Sequence, residues 1–175
     1  MTKRGEKLDL PACAVLTRFP MSETISERLK ALNLTLPQPA APVAAYVPAV
    51  RTGNLLHISG QIPTENGERM TGQLGADRDL EYGQRAARSC GVMILAQIAQ
   101  ALGGLEQVER IVKLNVFVNS APSFGDQPKV ANGASELMEQ VFGDAGKHAR
   151  SAVGVSALPL GVAVEIDAVV AIKAD

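Results

Sequence analysis

The chain has 175 residues, 17 Lys and Arg against 18 Asp and Glu, a net charge of −1 and a hydrophobic fraction of 46%. That describes one globular domain, or one domain with an extension, large enough to fold without a disulfide or metal, and it excludes a wholly disordered chain. No apolar run approaches the roughly 20 residues of a membrane span, and a near-neutral chain with 3% aromatic residues lacks the positive field and stacking platforms that favour nucleic acid.

The first 20 residues contain Lys3, Arg4 and Lys7, but Pro11 and Pro20 interrupt them and no long apolar core follows, so they make a poor signal peptide. They read either as an extension upstream of a start at Met21 or as a genuine N-terminus. Ser22 is a candidate N-cap for a short helix with Ile25, Leu29 and Leu32 at helical spacing. Pro37, Pro39 and Pro42 then form a hinge, which places an N-terminal extension and short helix over 1–41 and the compact domain over 42–175. Residues 45–50 and 55–59 read as two strands around Thr52-Gly53-Asn54, and 64–78 as a loop with a short strand. Asp79 to Leu102 has the strongest helical pattern, closed by Gly103-Gly104. In Arg110 to Asn119, Val112, Leu114, Val116 and Val118 alternate with Lys113, Asn115 and Phe117, which predicts a strand. A second helix is expected from about Asp126 to Phe142. Arg150–Val155 and Val162–Ile172 read as a terminal hairpin around Ala157–Gly161. The order of elements predicts an α+β fold, a single sheet with two helices packed on one face. The other face would carry Lys113, Phe117, Arg150, Glu165 and Asp167.

Several chemistries fail on spacing. Gly143–His148 has the wrong glycine spacing for a phosphate loop and no Ser or Thr after its lysine, and Gly154-Val155-Ser156 lacks the closing glycine of a nucleophile elbow. His57 and His148 stand alone, so no metal site is expected. Cys90 falls in a helix stripe and reads as packing. Cys13 and Cys90, far apart, make no disulfide framework, which points to a reducing cytoplasm. Ser59 and Gln61 read as turn-formers.

Four segments carry a resemblance. His148-Ala149-Arg150-Ser151-Ala152-Val153-Gly154-Val155-Ser156-Ala157-Leu158-Pro159, followed by Val164-Glu165-Ile166-Asp167-Ala168, is similar to the closing signature of the RidA/YjgF family of reactive-intermediate deaminases. Asn54 to Pro63, ending Ser59-Gly60-Gln61-Ile62-Pro63, resembles the family's early strand, and Lys113 to Val118 its central strand. The resemblance covers about residues 42–173. It implies a chorismate-mutase-like fold assembled as a homotrimer with sites between subunits, no cofactor, and hydrolysis of enamines or imines of the 2-aminoacrylate/2-iminopropionate type to 2-keto acids and ammonia. It also implies roles: Arg150 binds the substrate carboxylate, Glu165 positions or activates water, and Tyr46 and Asn132 line the site. The family often has cysteine where Ala152 stands, so no thiol is available there, but the Ala152 carbonyl can still receive a substrate amine. The segment from Ser123 to Ala134 is longer than in common members, which bears on the shape of the pocket.

The chemistry fits these residue types. A guanidinium binds a carboxylate bidentately, and one carboxylate near a water can relay its proton to departing ammonia. If the terminal strands form a hairpin pairing Val153 with Val164, Arg150 opposes Asp167 and lies on one face with Glu165, roughly 7–8 Å away. The same register admits a plain Arg150–Asp167 ion pair. Two other functions stay open: an endoribonuclease or translation inhibitor, and a non-enzymatic trimeric ligand-binding or holdase protein. The retained Arg150 and Glu165 favour catalysis over the latter.

Overall fold

A computed structural model of the chain describes residues 24–39 and 45–174; Cys13, Met21 and Ser22 lie outside them. The helices are α1 (Ile25–Ala31), α2 (Leu80–Leu102) and α3 (Gln127–Phe142). The strands are β1 (Ala49–Thr52), β2 (Leu55–Gln61), β3 (Thr64–Glu65), β4 (Glu68–Arg69), β5 (Val108–Asn119), β6 (Ala149–Val155) and β7 (Val164–Ile172). Five strands form one mixed sheet in the order β1-β2-β7-β5-β6, while β3 and β4 make a separate small hairpin. Both long helices cover one face of the sheet, α2 over β2 and β7 and α3 over β5 and β6.

Local signals account for most boundaries. The side chain of Asp79 accepts from the Tyr82 amide at 2.8 Å and caps α2, and Gly103 ends the helix in the left-handed conformation, φ 75°, which costs a residue without Cβ nothing. α1 is capped by Thr24, whose side chain and that of Glu27 form a capping box, so the cap lies two residues beyond the expected Ser22. Leu29, Leu32, Leu34 and Leu36 pack against the core, and Arg28 Nη1 donates to the Val141 carbonyl at the end of α3. β1 starts at Ala49 rather than 45, because Pro48 cannot donate to a strand ladder. In β5 a register shift between Ile111 and Lys113 gives the buried position to Ile111 and leaves Val112 half-buried.

The two helices meet through small residues. A Cβ at Gly133 of α3 would collide with the backbone carbonyl of Gln84 on α2, and backbone cannot rotate away as a side-chain tip can. Gly133→Ala is therefore expected to wedge the helices apart and destabilise the fold by about 1–3 kcal/mol, read as a lower melting temperature. An unchanged melt would contradict this packing.

The terminal hairpin does not form. β6 runs parallel to β5, with Arg150 opposite Leu114 and Ala152 opposite Val116. β7 pairs antiparallel with β5 and β2, placing Asn115 opposite Asp167 and Phe117 opposite Glu165. β5, α3 and β6 make a strand–helix–strand crossover, which delivers a parallel strand to the sheet edge. The chain from Ser156 to Ala163 then passes the end of β5 to start β7. Alternation in β6 is compatible with either neighbour, so the pattern alone does not distinguish them.

Candidate functional site

Because Leu114 and Val116 are buried beneath the helices, their partners Arg150 and Ala152 also lie on the helix side, not on the open face. Arg150 reaches under α3. Its Nη1 donates to Asn132 Oδ1 and to Ser135 Oγ, each at 2.9 Å, and Nη2 donates to the Pro128 carbonyl at 3.2 Å. Asn132 and Ser135 are three residues apart and share one helix face. No carboxylate lies within ion-pair distance of Arg150 among the described residues. Its charge is held by neutral acceptors at the wall of an open cleft of about 420 Å3 between α3 and β6. Lys147, which also lines the cleft, is tied to Asp144 at 2.8 Å and Glu139 at 3.6 Å.

Glu165 stands on the opposite face of the sheet. It is half-buried beside Phe117, and its carboxylate lies over Gly60, where a Cβ would strike its Oε1. Burial, and then the charge of Asp167, raises its pKa above the ordinary glutamate value. Asp167 accepts from Asn115 Nδ2 at 2.7 Å and has β5 between it and β6, so the Arg150–Asp167 ion pair does not exist. Within one chain, Arg150 and Glu165 are therefore not diagonal neighbours but are separated by the thickness of the sheet.

Of the remaining predicted residues, Tyr46 is 57% exposed in the segment before β1. Ser59 holds that segment: its hydroxyl donates to the Val47 carbonyl at 2.8 Å and its amide to the Pro48 carbonyl at 2.9 Å. Ser59 and Gln61 are strand residues of β2, Ser59 within and Gln61 at the end of a register shift that begins after Ile58, not turn-formers, and Gln61 Oε1 accepts from Gln97 of α2. Cys90 is fully buried, and burial together with the Glu165 charge pushes its thiol well up, which leaves it inert. Ser135, which the sequence reading does not single out, and His148, which it treats only as a lone histidine, both flank Arg150. The available signal was spacing: His148 precedes Arg150 by two, the repeat of one strand face, and Ser135 follows Asn132 by three. Among the described residues, no cluster of three or more His, Cys, Asp or Glu is placed to hold a metal, and no helix is long and apolar enough to cross a membrane.

The model of the family described as Endoribonuclease L-PSP matches residues 37–172. The chain is 52% identical over 151 residues to Protein TCP17 of Trypanosoma cruzi, covering 85% of this chain and 94% of that protein. It is 28% identical to a 2-iminobutanoate/2-iminopropanoate deaminase of Dermatophagoides farinae, covering 80% of this chain and 95% of the relative. The crystal structure of Atu1372 from Agrobacterium tumefaciens, a protein of unknown function, superposes with a TM-score of 0.79 at 49% identity, covering 86% of this chain and 94% of that one.

Proposed function

Because the chain belongs to the RidA/YjgF family, we propose that it is an enamine/imine deaminase acting on small imines that carry a carboxylate, of the 2-iminopropionate type. The observation that carries this reading is Arg150: a guanidinium with neutral partners, unpaired with any described carboxylate, facing an open cleft. Such a group is an anion receptor, and its planar fork suits a carboxylate. The relative described as a 2-iminobutanoate/2-iminopropanoate deaminase supports the substrate class. The endoribonuclease reading has less support, since net charge is −1 and Lys147 beside the cleft is already paired.

In this reading Arg150 holds the carboxylate and the Ala152 carbonyl receives the substrate nitrogen. Glu165 takes a proton from water as the oxygen adds to the imine carbon. Glu165 returns that proton to the nitrogen, giving a carbinolamine, which then collapses: its hydroxyl proton passes by way of Glu165 to the nitrogen as the C–N bond breaks, leaving a 2-keto acid and ammonia. One chain cannot bring Arg150 and Glu165 to one small molecule across its own sheet. The reading therefore requires a second copy, with Glu165 and Tyr46 supplied by a neighbour, as in a homotrimer. Val50 and Val153, 50% and 47% exposed, sit opposite His57 and Phe117 on the open face and give that face apolar surface to bury.

The test couples a dehydratase, which releases 2-aminoacrylate from serine, to pyruvate formation. Faster pyruvate release with the protein present is expected; an unchanged rate refutes the activity. Light scattering is expected to return a trimer at micromolar concentration, and a monomer would refute the shared site.

A further inference from the structure

Behind Arg150 lies a second pair of side chains. Nδ1 of His148 is 2.6 Å from the Gly146 carbonyl oxygen. A carbonyl only accepts, so Nδ1 carries the hydrogen and the neutral ring keeps its lone pair on Nε2. Nε2 is 3.0 Å from Ser135 Oγ, so the hydroxyl hydrogen of Ser135 points at His148. The lone pairs of Oγ are thereby left for the Nη1–H of Arg150 at 2.9 Å. Direction propagates along the chain of bonds: Arg150 to Ser135, Ser135 to His148, and the other side of the His148 ring to Gly146. Burial lowers the pKa of His148 below the ordinary histidine value; the Gly146 bond opposes this and the Arg150 charge adds to it. The ring is therefore the neutral acceptor at neutral pH.

We propose that Ser135 and His148 form a hydrogen-bond relay that fixes the orientation of the Arg150 guanidinium, making both of them positioning residues for carboxylate binding. This rests on the reading of Arg150 as a carboxylate receptor. Among the described residues, both Nη1 hydrogens are taken by Asn132 and Ser135 and one Nη2 hydrogen by Pro128, so two of the five N–H groups are left for an anion. Without the Ser135 acceptor, Nη1 is held on one side only, and more of the fork's rotational freedom must be lost when the substrate binds. The pair superficially resembles a serine nucleophile and its base. Arg150, however, donates into the same Oγ and withdraws electron density from it, which suits an acceptor rather than an attacking group.

The discriminating experiment uses Ser135→Ala, Ser135→Thr, His148→Leu, His148→Gln and Arg150→Ala in the full chain. Two readouts apply: imine hydrolysis, and calorimetric binding of pyruvate, a product carboxylate. Ser135→Ala and His148→Leu are expected to raise KM and weaken pyruvate binding roughly 10- to 150-fold, the size of one lost hydrogen bond to a charged group, with kcat within about twofold. Ser135→Thr and His148→Gln keep a hydroxyl and a neutral acceptor, and should restore most of the affinity. Nitrogen-15 NMR of the unmodified protein should show the Nδ1–H tautomer of His148. Wild-type pyruvate affinity in Ser135→Ala, or an Nε2–H tautomer, overturns the relay. Failure of the underlying reading looks different: Arg150→Ala would then bind pyruvate as well as wild type.

Discussion

Arg150→Ala is expected to lower kcat/KM for imine hydrolysis by roughly 30- to several-thousand-fold, the loss of about 2–5 kcal/mol from a charge-assisted contact in a partly desolvated site. The effect should be large because the side chain is built for one task. Asn132, Ser135 and the Pro128 carbonyl satisfy three of its donors without neutralising its charge. Arg150→Lys should recover little, since a single ammonium cannot engage these acceptors and still offer a planar fork to a carboxylate. The competing explanation, an ion pair with Asp167, predicts that Asp167→Asn behaves like Arg150→Ala. The topology gives no ground for it: β5 separates the two strands, and Asp167 is held by Asn115. The measurements are steady-state rates for the three variants, with melting curves and light scattering to exclude unfolding or dissociation. If both arginine variants remain assembled and hydrolyse at the wild-type rate, Arg150 is structural and the deaminase reading loses its support.

The fate of the Arg150–Glu165 pair shows where reading the sequence succeeds and where it stops. α2, α3, β5 and β7 were legible because their apolar periods are local: each strip is buried in one layer, and Asp79 and Gly103 mark the ends of α2. The choice of neighbour for β6 is not local. Its alternation suits a hairpin with β7 or a parallel edge beside β5, and the difference moves Arg150 from one face of the sheet to the other. Arg150, Glu165 and Asn132 were named through resemblance to a family, and Asn132 does lie within hydrogen-bond reach of Arg150. The Ser135–His148 pair is not legible in the sequence. Metal-ligand spacing leaves His148 alone, and nothing in the chain order brings Ser135 beside it until α3 is laid over β6. The role of Gly60 was likewise hidden, since the side chain that needs its missing Cβ is more than a hundred positions away.

Glu165→Gln is expected to lower kcat about 10²- to 10⁴-fold, the range for a lost general base or acid, while fold and assembly persist. Gly60→Ala tests the same group without touching it. The added Cβ would occupy the place of the Glu165 carboxylate, and what it meets is the tip of a flexible side chain, not backbone. The backbone at Gly60 has no positive φ, so alanine is tolerated there and the strain is relieved by swinging Glu165 aside. The variant should keep its melting temperature within a few degrees and lose much of its activity. The pH profile supplies an independent check. A base works ionised, so kcat/KM should fall as pH drops through the Glu165 pKa. That pKa lies above the ordinary glutamate value, first through burial and then through the Asp167 charge. Asp167→Asn removes the second cause and leaves the first, so the acid limb should move to lower pH without vanishing. A limb that stays in place in Asp167→Asn, or a Glu165→Gln enzyme with wild-type kcat, would remove Glu165 from the reaction and leave the second face of the sheet without a catalytic role.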